Sequence, residues 1–600
     1  MLRHPIGIAI ILALALTAHT QAAPGNLDSQ TFGTGTGVVF NADVFALGGI
    51  ALQPDGKTVL AGTYWNGTNN DFYVARYLPD GTLDTSFGNS GKVSTAIGPR
   101  NDYARGVVLQ PDGRIIVAGT CATDTDTDKF CVARYLADGA TDTTFNTTGK
   151  IITAIGSGSD MAATVSLQPD GKIVVAGYCA PAGGYSYSFC LARYLPNGSI
   201  DPSFNNSGKV ITACGTGISQ AYSLSLLPDG KIILAGKSSD GVTNKGCVVR
   251  YLRDGAVDPS FNTVGIVSIG IGPRDFSAVA IVAQFDGKIV VAGTCQKDNT
   301  SYFCLARYLA NGELDTTFNG TGTLITTLGS NGAYDIGRAA ALALQPDGKI
   351  LVAGSCYQGN STYFCLARYL SNGTLDSTFG TGGTTISLVG TTSFALNVAL
   401  QPDGKIIVGG SCTLSLGKNG TCLARYQGGP NPPKTLTEYV YAPLNYYFLT
   451  SRDADKASLD AAPGWARTGQ SFSSLTFAES GTQGISRFYF DQIAKNQTRG
   501  SHFYTLVNSE KSTLNTLNPT NQALPRLPLN EGVDSYAFSP VVEGVGGSCA
   551  AGQTPVYRIF RGQTRFPDDP NHRFTTSLAL YNQLVAEGWD GEGVKMCAPN

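Results

Sequence analysis

Histidine is nearly absent from this chain. Four occur in 600 residues, and two of these, His4 and His19, lie at the very start. None falls between residues 20 and 501. Over that stretch a Ser-His-Asp triad, a histidine general base and a histidine-ligated metal are excluded, and only carboxylate-based hydrolase or lyase chemistry stays open. Charge is also sparse: 42 Lys and Arg against 44 Asp and Glu leave a formal net charge of −2. No basic face stands out, which argues against a nucleic-acid partner. Beyond the N-terminus no apolar run approaches the roughly 20 residues of a membrane span. The one apolar run, Ile6 to Leu16, follows Arg3 and His4 and precedes Thr20-Gln21-Ala22. Residues 1–22 therefore read as a secretory signal peptide, with no cysteine after it to carry a lipid. The expected location is secreted or extracytoplasmic, in the periplasm or at the cell surface.

What the chain has in abundance is glycine, 74 residues, much of it in one repeated phrase. L-Q-P-D-G-K-x-V-V-A-G recurs seven times, with its turn glycine at Gly56, Gly113, Gly171, Gly230, Gly287, Gly348 and Gly404. In the unit around residues 140–195, Gly149 to Thr153 is a first strand and Ala163 to Gln168 a second. Pro169-Asp170-Gly171 turns the chain, Lys172 to Gly177 is an apolar third strand, and Phe189 to Leu195 is a fourth. Proline presets one backbone angle of that turn and glycine supplies the positive φ. Four short antiparallel strands at this period fit a propeller blade; a parallel β-helix has shorter rungs and no such hairpins. Seven Arg-Tyr pairs, from Arg76 to Arg425, count the same units, so residues 27–427 are expected to form a seven-bladed β-propeller.

The fourteen cysteines carry a second pattern. Cys121/Cys131, Cys179/Cys190, Cys295/Cys304, Cys356/Cys365 and Cys412/Cys422 fill the same two slots in five units. One slot ends the V-A-G-x-C strand and the other opens the F-C-L-A-R-Y strand, so each pair is expected to bridge side by side across a hairpin. Metal binding is the alternative, but thiolate sites favour tighter C-x-x-C spacing. The first unit has Tyr64 and Tyr73 near these slots, as if the pair were lost together. In the fourth unit Ser238 replaces one cysteine, leaving Cys247 to bridge Cys214 or both to stay free. Cys549 and Cys597 are expected to pair near the C-terminus.

The ordered recurrence of L-D-x-S-F, P-D-G-K and A-R-Y resembles the delta-60 repeat family of bacterial propeller-like proteins. That resemblance covers about 400 residues and implies a β-propeller in exported or surface proteins, without a known reaction.

Residues 428–434, Gly-Gly-Pro-Asn-Pro-Pro-Lys, read as a stiff linker. Residues 435–600 then repeat three times more loosely, with Tyr447-Phe448-Leu449-Thr450, His502-Phe503-Tyr504-Thr505 and His572-Arg573-Phe574-Thr575 as the recurring phrase. Each unit reads as strand, strand, helix, strand, with helices near 453–461, 509–517 and 578–587, giving a small α+β domain. This resembles an uncharacterised bacterial module with an H-F-Y-T and G-W-x-x-E-G pattern, found as an accessory unit of exported and cell-wall proteins.

Three sets of residues invite function. Asp84, Asp142, Asp201, Asp258, Asp315 and Asp376 recur in the L-D-x-x-F slot and could bind cations; the competing reading is that each caps a turn or pairs with the recurrent arginine. Asp124, Asp126 and Asp128 resemble the start of a calcium loop but lack the glycine and distal glutamate that an EF-hand needs. Calcium is thus the one cofactor left open. His502, Tyr504, His572, Phe574, Trp465 and Trp589 could form sugar-stacking surfaces, or could simply fill the cores of three small units. With the first strand of each unit as the inner one, the seven read mostly Val, Ile, Thr, Ser and Ala, and no blade stands out. That favours an exported binding or adhesion protein engaging a polysaccharide, cell wall or another extracellular protein. A histidine-free glycan hydrolase or lyase, and a purely structural surface or matrix protein, are the alternatives.

Overall fold

The computed structural model describes residues 23–429 apart from isolated turn and loop positions and residues 329–335; beyond residue 432 it describes mainly strands and one helix. The signal-peptide reading of residues 1–22 lies outside the described residues.

Seven four-stranded antiparallel sheets succeed one another as the blades of a propeller, two of them joined by a single parallel bridge between Ser301 and Ile336. In blade 2 the order is Asp102–Leu109, Ile115–Ala122, Asp128–Tyr135 and Lys150–Thr153. Every residue of Ile115–Ala122 is buried, as an apolar strand covered on both faces should be. The hairpin before it closes through the Gln110 amide on the Arg114 carbonyl at 2.8 Å, and Gly113 takes φ 85°.

The strand read from sequence as the first of each unit is the last strand of the preceding blade. Lys150–Thr153 pairs with Asp128–Tyr135, not with Asp160–Leu167. Repeat and blade are therefore out of phase by one strand. The inner strands are Ala46–Leu52, Asp102–Leu109, Asp160–Leu167, Ile218–Leu226, Phe276–Ala283, Ile336–Leu344 and Thr392–Leu400, and each neighbours the next until the last meets the first. The ring closes because Val38–Asn41 supplies the outer strand of the last blade, with Val38 opposite Ala424 and Asn41 opposite Thr421.

The recurrent aspartates and arginines hold adjacent blades together. In blade 1, Arg76 Nε donates to Asp84 Oδ2 at 2.8 Å, its guanidinium lies 4.7 Å from the Phe87 ring centroid, and a further N–H reaches the Ala137 carbonyl of blade 2. Asp84 also takes Ser86 Oγ at 2.6 Å and faces Lys57 at 3.3 Å. The same set repeats around Arg134, Arg193, Arg250, Arg307 and Arg368. At the seam Arg425 meets Asp28 and Phe32 from the other end of the ring and donates to the Pro79 carbonyl of blade 1. The pairing reading of these aspartates is the one the geometry carries. Buried tyrosines add a second latch: Tyr135 of blade 2 donates to Thr95 of the preceding outer strand at 3.0 Å.

Removing one member of such a pair leaves a buried charge uncompensated. Arg425→Met, which strands Asp28 at 1% exposure, is expected to cost about 3–5 kcal/mol in urea unfolding. A loss under about 1 kcal/mol would show that the closing pair does not hold the ring.

All fourteen cysteines are bridged. Cys121–Cys131, Cys179–Cys190, Cys295–Cys304, Cys356–Cys365 and Cys412–Cys422 join hairpin strands, and Cys214–Cys247 and Cys549–Cys597 complete the set. The side-by-side expectation for the hairpin pairs is wrong, because a different residue stands directly across from each cysteine. Cys121 lies opposite Lys129 and Cys131 opposite Gly119; Cys179 lies opposite Ser188 and Cys190 opposite Gly177. Likewise Cys356 lies opposite Tyr363 and Cys365 opposite Gly354, and Cys412 opposite Gly420 and Cys422 opposite Gly410. Each bridge therefore runs diagonally across two residues, with Cα atoms 5.8 Å apart in the first. The second cysteines, Cys131, Cys190, Cys304, Cys365 and Cys422, are fully buried, so these positions belong to the blade cores and offer nothing to a ligand. Gly119 is required opposite Cys131 because a Cβ there would strike the Tyr103 carbonyl of the inner strand. In the fourth blade Cys214 reaches Cys247 from the link after the previous outer strand, and Ser238 donates instead to the Cys214 carbonyl.

Beyond residue 432 lies one mixed-length antiparallel sheet made of three like units. In each, a first long strand pairs with a short one and with a second long one: Pro433–Tyr441 with Tyr446–Thr450 and Trp465–Leu475, Thr482–Phe490 with Ser501–Thr505 and Pro528–Phe538, Gln553–Arg561 with Asn571–Thr575 and Asp590–Pro599. The strand Pro433–Tyr441 begins inside the segment read as a linker. The third unit carries helix Leu578–Ala586, capped by Ser577 Oγ on the Leu580 amide. The helices expected near 453–461 and 509–517 fall outside the described residues. Arg573 and Glu438 form a buried ion pair at 2.8 Å between the third and first units.

Candidate functional site

The correct inner strands differ from one another in a way the outer strands do not. In all seven the register shifts once, leaving one residue unpaired at a bulge: Gly48, Arg105, Ala163, Tyr222, Val279, Ala340 and Leu396. A bulge re-aims the side chain it carries. Six of these residues are uncharged, and the seventh is an arginine. The bulges lie at or just before the middle of the inner strands, on the half nearer each strand's start. Antiparallel order puts the variable loops between second and third strands at the same end, here called the loop face.

Arg105 is exposed, and its guanidinium makes no hydrogen bond or ion pair among the described residues. It lies 5.7 Å from the centre of the Tyr103 ring. Beside it, blades 3 and 4 supply a tyrosine cluster. Tyr178 meets Tyr187 edge-on at 5.2 Å and Tyr222 edge-on at 6.4 Å. The Tyr222 hydroxyl donates to Gln220 Oε1 at 2.9 Å. Burial pushes the Tyr178 hydroxyl up, against the lowering effect of Arg105; burial and Tyr178 push Tyr222 up as well. Both phenols therefore stay protonated at neutral pH and can donate hydrogen bonds. Farther round the ring, Phe394 is 39% exposed on the last inner strand, 6.1 Å edge-on from Tyr357. An open cation next to hydrogen-bonding aromatic rings suits a polar ligand with flat, partly apolar faces.

Asp102 is buried below this patch and accepts from the Ile97 amide at 2.6 Å and from Gly98 at 3.1 Å. Burial, with Asp71 adding its charge, raises it to about 6. Its two backbone partners make it a brace for the link between blades 1 and 2.

The residues singled out from sequence lie elsewhere. Asp124 and Asp126 are exposed in the loop after Ala122, and Asp126 faces Arg100 at 3.6 Å. Among the described residues no three His, Cys, Asp or Glu side chains gather as a metal would need, so Asp124, Asp126 and Asp128, which opens the next strand, do not converge. In the C-terminal sheet Phe574 is 2% and Trp589 7% exposed; Trp589 packs with Ile559, Tyr581 and Leu584. These two rings fill the interior of the third unit and turn no face to a ligand. His572 lies on the same short strand, 3.8 Å from Glu592; burial, then Arg558, holds its pKa well below the usual imidazole range, so it is neutral. Trp465, His502 and Tyr504 sit on strands of the first two units, and their side chains lie outside the described residues. Sequence reading missed Arg105 and Tyr222 because it placed the channel on the wrong strand. Their one signal is an arginine and a tyrosine standing where the other units have smaller or aliphatic residues.

Among the described residues no helix is long and apolar enough to cross a membrane. The bridging of every cysteine points to an oxidising, extracytoplasmic environment.

No curated protein matches this chain. Similar solved structures include a polysaccharide lyase, ulvan lyase, bound to -[GlcA(1-4)Rha3S]- (11% identity, 64% of this chain and 95% of that one, TM-score 0.38). Others are Sqt1 from Chaetomium thermophilum (10%, 64% and 97%, TM-score 0.34) and the first two extracellular domains of Drosophila semaphorin 1b (9%, 65% and 86%, TM-score 0.34). At these identities the likeness carries nothing about activity. The model of a second family, a domain of unknown function (DUF5648), matches residues 531–599. That of a domain of unknown function (DUF5122) beta-propeller matches residues 53–87, 110–145, 168–204, 227–261, 284–318, 345–379 and 401–428. With one match to each of the seven turns, this part of the chain is supported as a member of a propeller-repeat family.

Proposed function

We propose that this protein is an extracytoplasmic binding or adhesion protein that recognises a glycan on the loop face of its propeller. The single observation that carries the proposal is the break in symmetry at the inner-strand bulges, where Arg105 and Tyr222 replace small or aliphatic residues. The rest of the blade chemistry is spent on holding the ring together. We place the ligand-reading surface on the propeller because Phe574 and Trp589, two of the C-terminal aromatics considered for it, are buried. Burial holds the Tyr178 and Tyr222 hydroxyls protonated, which suits hydrogen bonding to a ligand rather than proton abstraction by these two groups.

Affinity electrophoresis of the full chain through gels holding a neutral or a uronate-rich polysaccharide tests this. Retardation is expected in at least one gel, with Arg105→Gln and Tyr222→Ala each weakening it by about tenfold, a loss of about 1.4 kcal/mol. Migration unaffected by any polysaccharide would remove the proposal in favour of a purely structural role.

A further inference from the structure

Blade 1 alone has neither cysteine of the hairpin pair. Its second and third strands, Thr58–Trp65 and Asn70–Tyr77, carry Tyr64 and Tyr73 in the two slots. The register is the same diagonal one: Tyr64 lies opposite Asp71 and Tyr73 opposite Gly62, as Cys295 lies opposite Tyr302 and Cys304 opposite Gly293. The two rings stand 5.9 Å apart at 31°. Beside them opens a cleft of about 770 Å³, lined by Asp43, Tyr64, Tyr73, Asn89, Lys92 and Thr141 among others. Lys92 Nζ lies 2.5 Å from Asp43 Oδ2, and the Tyr73 hydroxyl donates to the same oxygen at 3.3 Å. Tyr73 is 3% exposed and anchors the cleft, while Tyr64 is half-buried and offers part of its ring. Asp43 comes from the short segment between the strands Val38–Asn41 and Ala46–Leu52, where the last blade hands over to the first. The cleft thus lies along blade 1, between the seam residue Asp43 and the turn at 138–141 of blade 2.

We propose that this cleft is a second ligand site, for an uncharged saccharide. The ammonium and carboxylate neutralise each other, so a charged ligand would have to part them. A neutral polyol can accept from Lys92 and donate to Asp43 without doing so. The Tyr64 ring offers an apolar surface to the face of a sugar, and Asn89 and Thr141 add neutral hydrogen-bonding groups. The volume falls in the range of about 300–1,000 Å³ typical of small-molecule sites. Asp138, at the exposed rim, is occupied by the Ala140 amide at 2.9 Å. The inference does not depend on the loop-face reading, which rests on the inner-strand residues Arg105 and Tyr222.

The shared register supplies the test. Tyr64→Cys/Tyr73→Cys gives blade 1 the nine-residue spacing of Cys295–Cys304, so a bridge should form, the fold should be kept, and both rings vanish from the cleft. The full chain is titrated calorimetrically with cellohexaose, maltohexaose, xylohexaose and, as the charged control, hexagalacturonate. Saturable binding of at least one neutral oligosaccharide is expected, weakened at least about tenfold by the double substitution and by Tyr64→Ala. No binding of any neutral oligosaccharide overturns the proposal. So does undiminished binding by a bridged double variant or by Tyr64→Ala, or tighter binding of hexagalacturonate.

Discussion

Protein that has been unfolded, reduced and alkylated is expected not to regain the propeller on dilution, whereas protein unfolded with its bridges intact should refold. Five of the propeller's six bridges close hairpin loops with sequence separations of 9 to 11 residues, and Cys214–Cys247 spans 33. In the chain-entropy account a loop of that shorter length is worth about 2–3 kcal/mol and the longer one nearly 4, so together they contribute on the order of 15 kcal/mol. Domains are stable by only about 5–15 kcal/mol. The bridges are also spread evenly, one in every blade but the first, so no blade sequence can compensate for its neighbour. Far-UV circular dichroism and urea midpoints of the two preparations give the answer. A reduced, alkylated sample with the midpoint of the oxidised one would assign the stability to the ion pairs and core instead.

Acid is expected to produce the second large effect. Burial works to raise Asp84, but hydrogen bonds from Ser86 and the charges of Lys57 and Arg76 outweigh it and hold the carboxyl at about 2; Asp315 is held at about 2 in the same way by Thr317, Arg307 and Lys288. Asp28, Asp142, Asp201, Asp258 and Asp376 are shifted in the same direction. A carboxyl that titrates lower in the folded than in the unfolded chain stabilises the fold above the ordinary value near 4 and loses that contribution as the pH falls toward 2. Seven such contributions, all lost over the same range of pH, should make up a large part of a domain's stability. Asp102 acts with the opposite sign. At about 6 it takes up its proton in the folded state first, so stability should rise slightly between pH 7 and pH 4 before the collapse. Urea midpoints from pH 7 to pH 2 should trace a shallow maximum and then a steep fall. A flat profile down to pH 2 would mean that the arginine pairs do not set the stability.

Much of this was legible in the sequence, for one physical reason. What a ring needs, it needs at every blade, so the turn glycines, the Arg–Asp pairs and the hairpin cysteines announce themselves by recurrence. The phase of the repeat was not legible, because a periodic sequence reads the same wherever the first unit is cut. Only the pairing of Lys150–Thr153 with the strand before it fixes where a blade begins. That one-strand error hid Arg105 and Tyr222, which stand out only when the true inner strands are aligned. Diagonal rather than direct pairing of the cysteines, as between Cys179 and Cys190, was invisible for a related reason: spacing within a hairpin gives loop length, but the register depends on how the turn is built. The burial of Phe574 and Trp589 turns on which face of a small sheet the helix Leu578–Ala586 covers, and aromatic clustering in a sequence is the same for a core as for a binding face.

The strand Val38–Asn41 completes the last blade by pairing with Asn419–Tyr426. Of the propeller strands it is made first and can find its seat only last, because its partner is made some 380 residues later. Until then this strand has no sheet to join, and the final blade keeps an open edge until the strand arrives. Anything that holds Val38–Asn41 back therefore controls when the ring shuts.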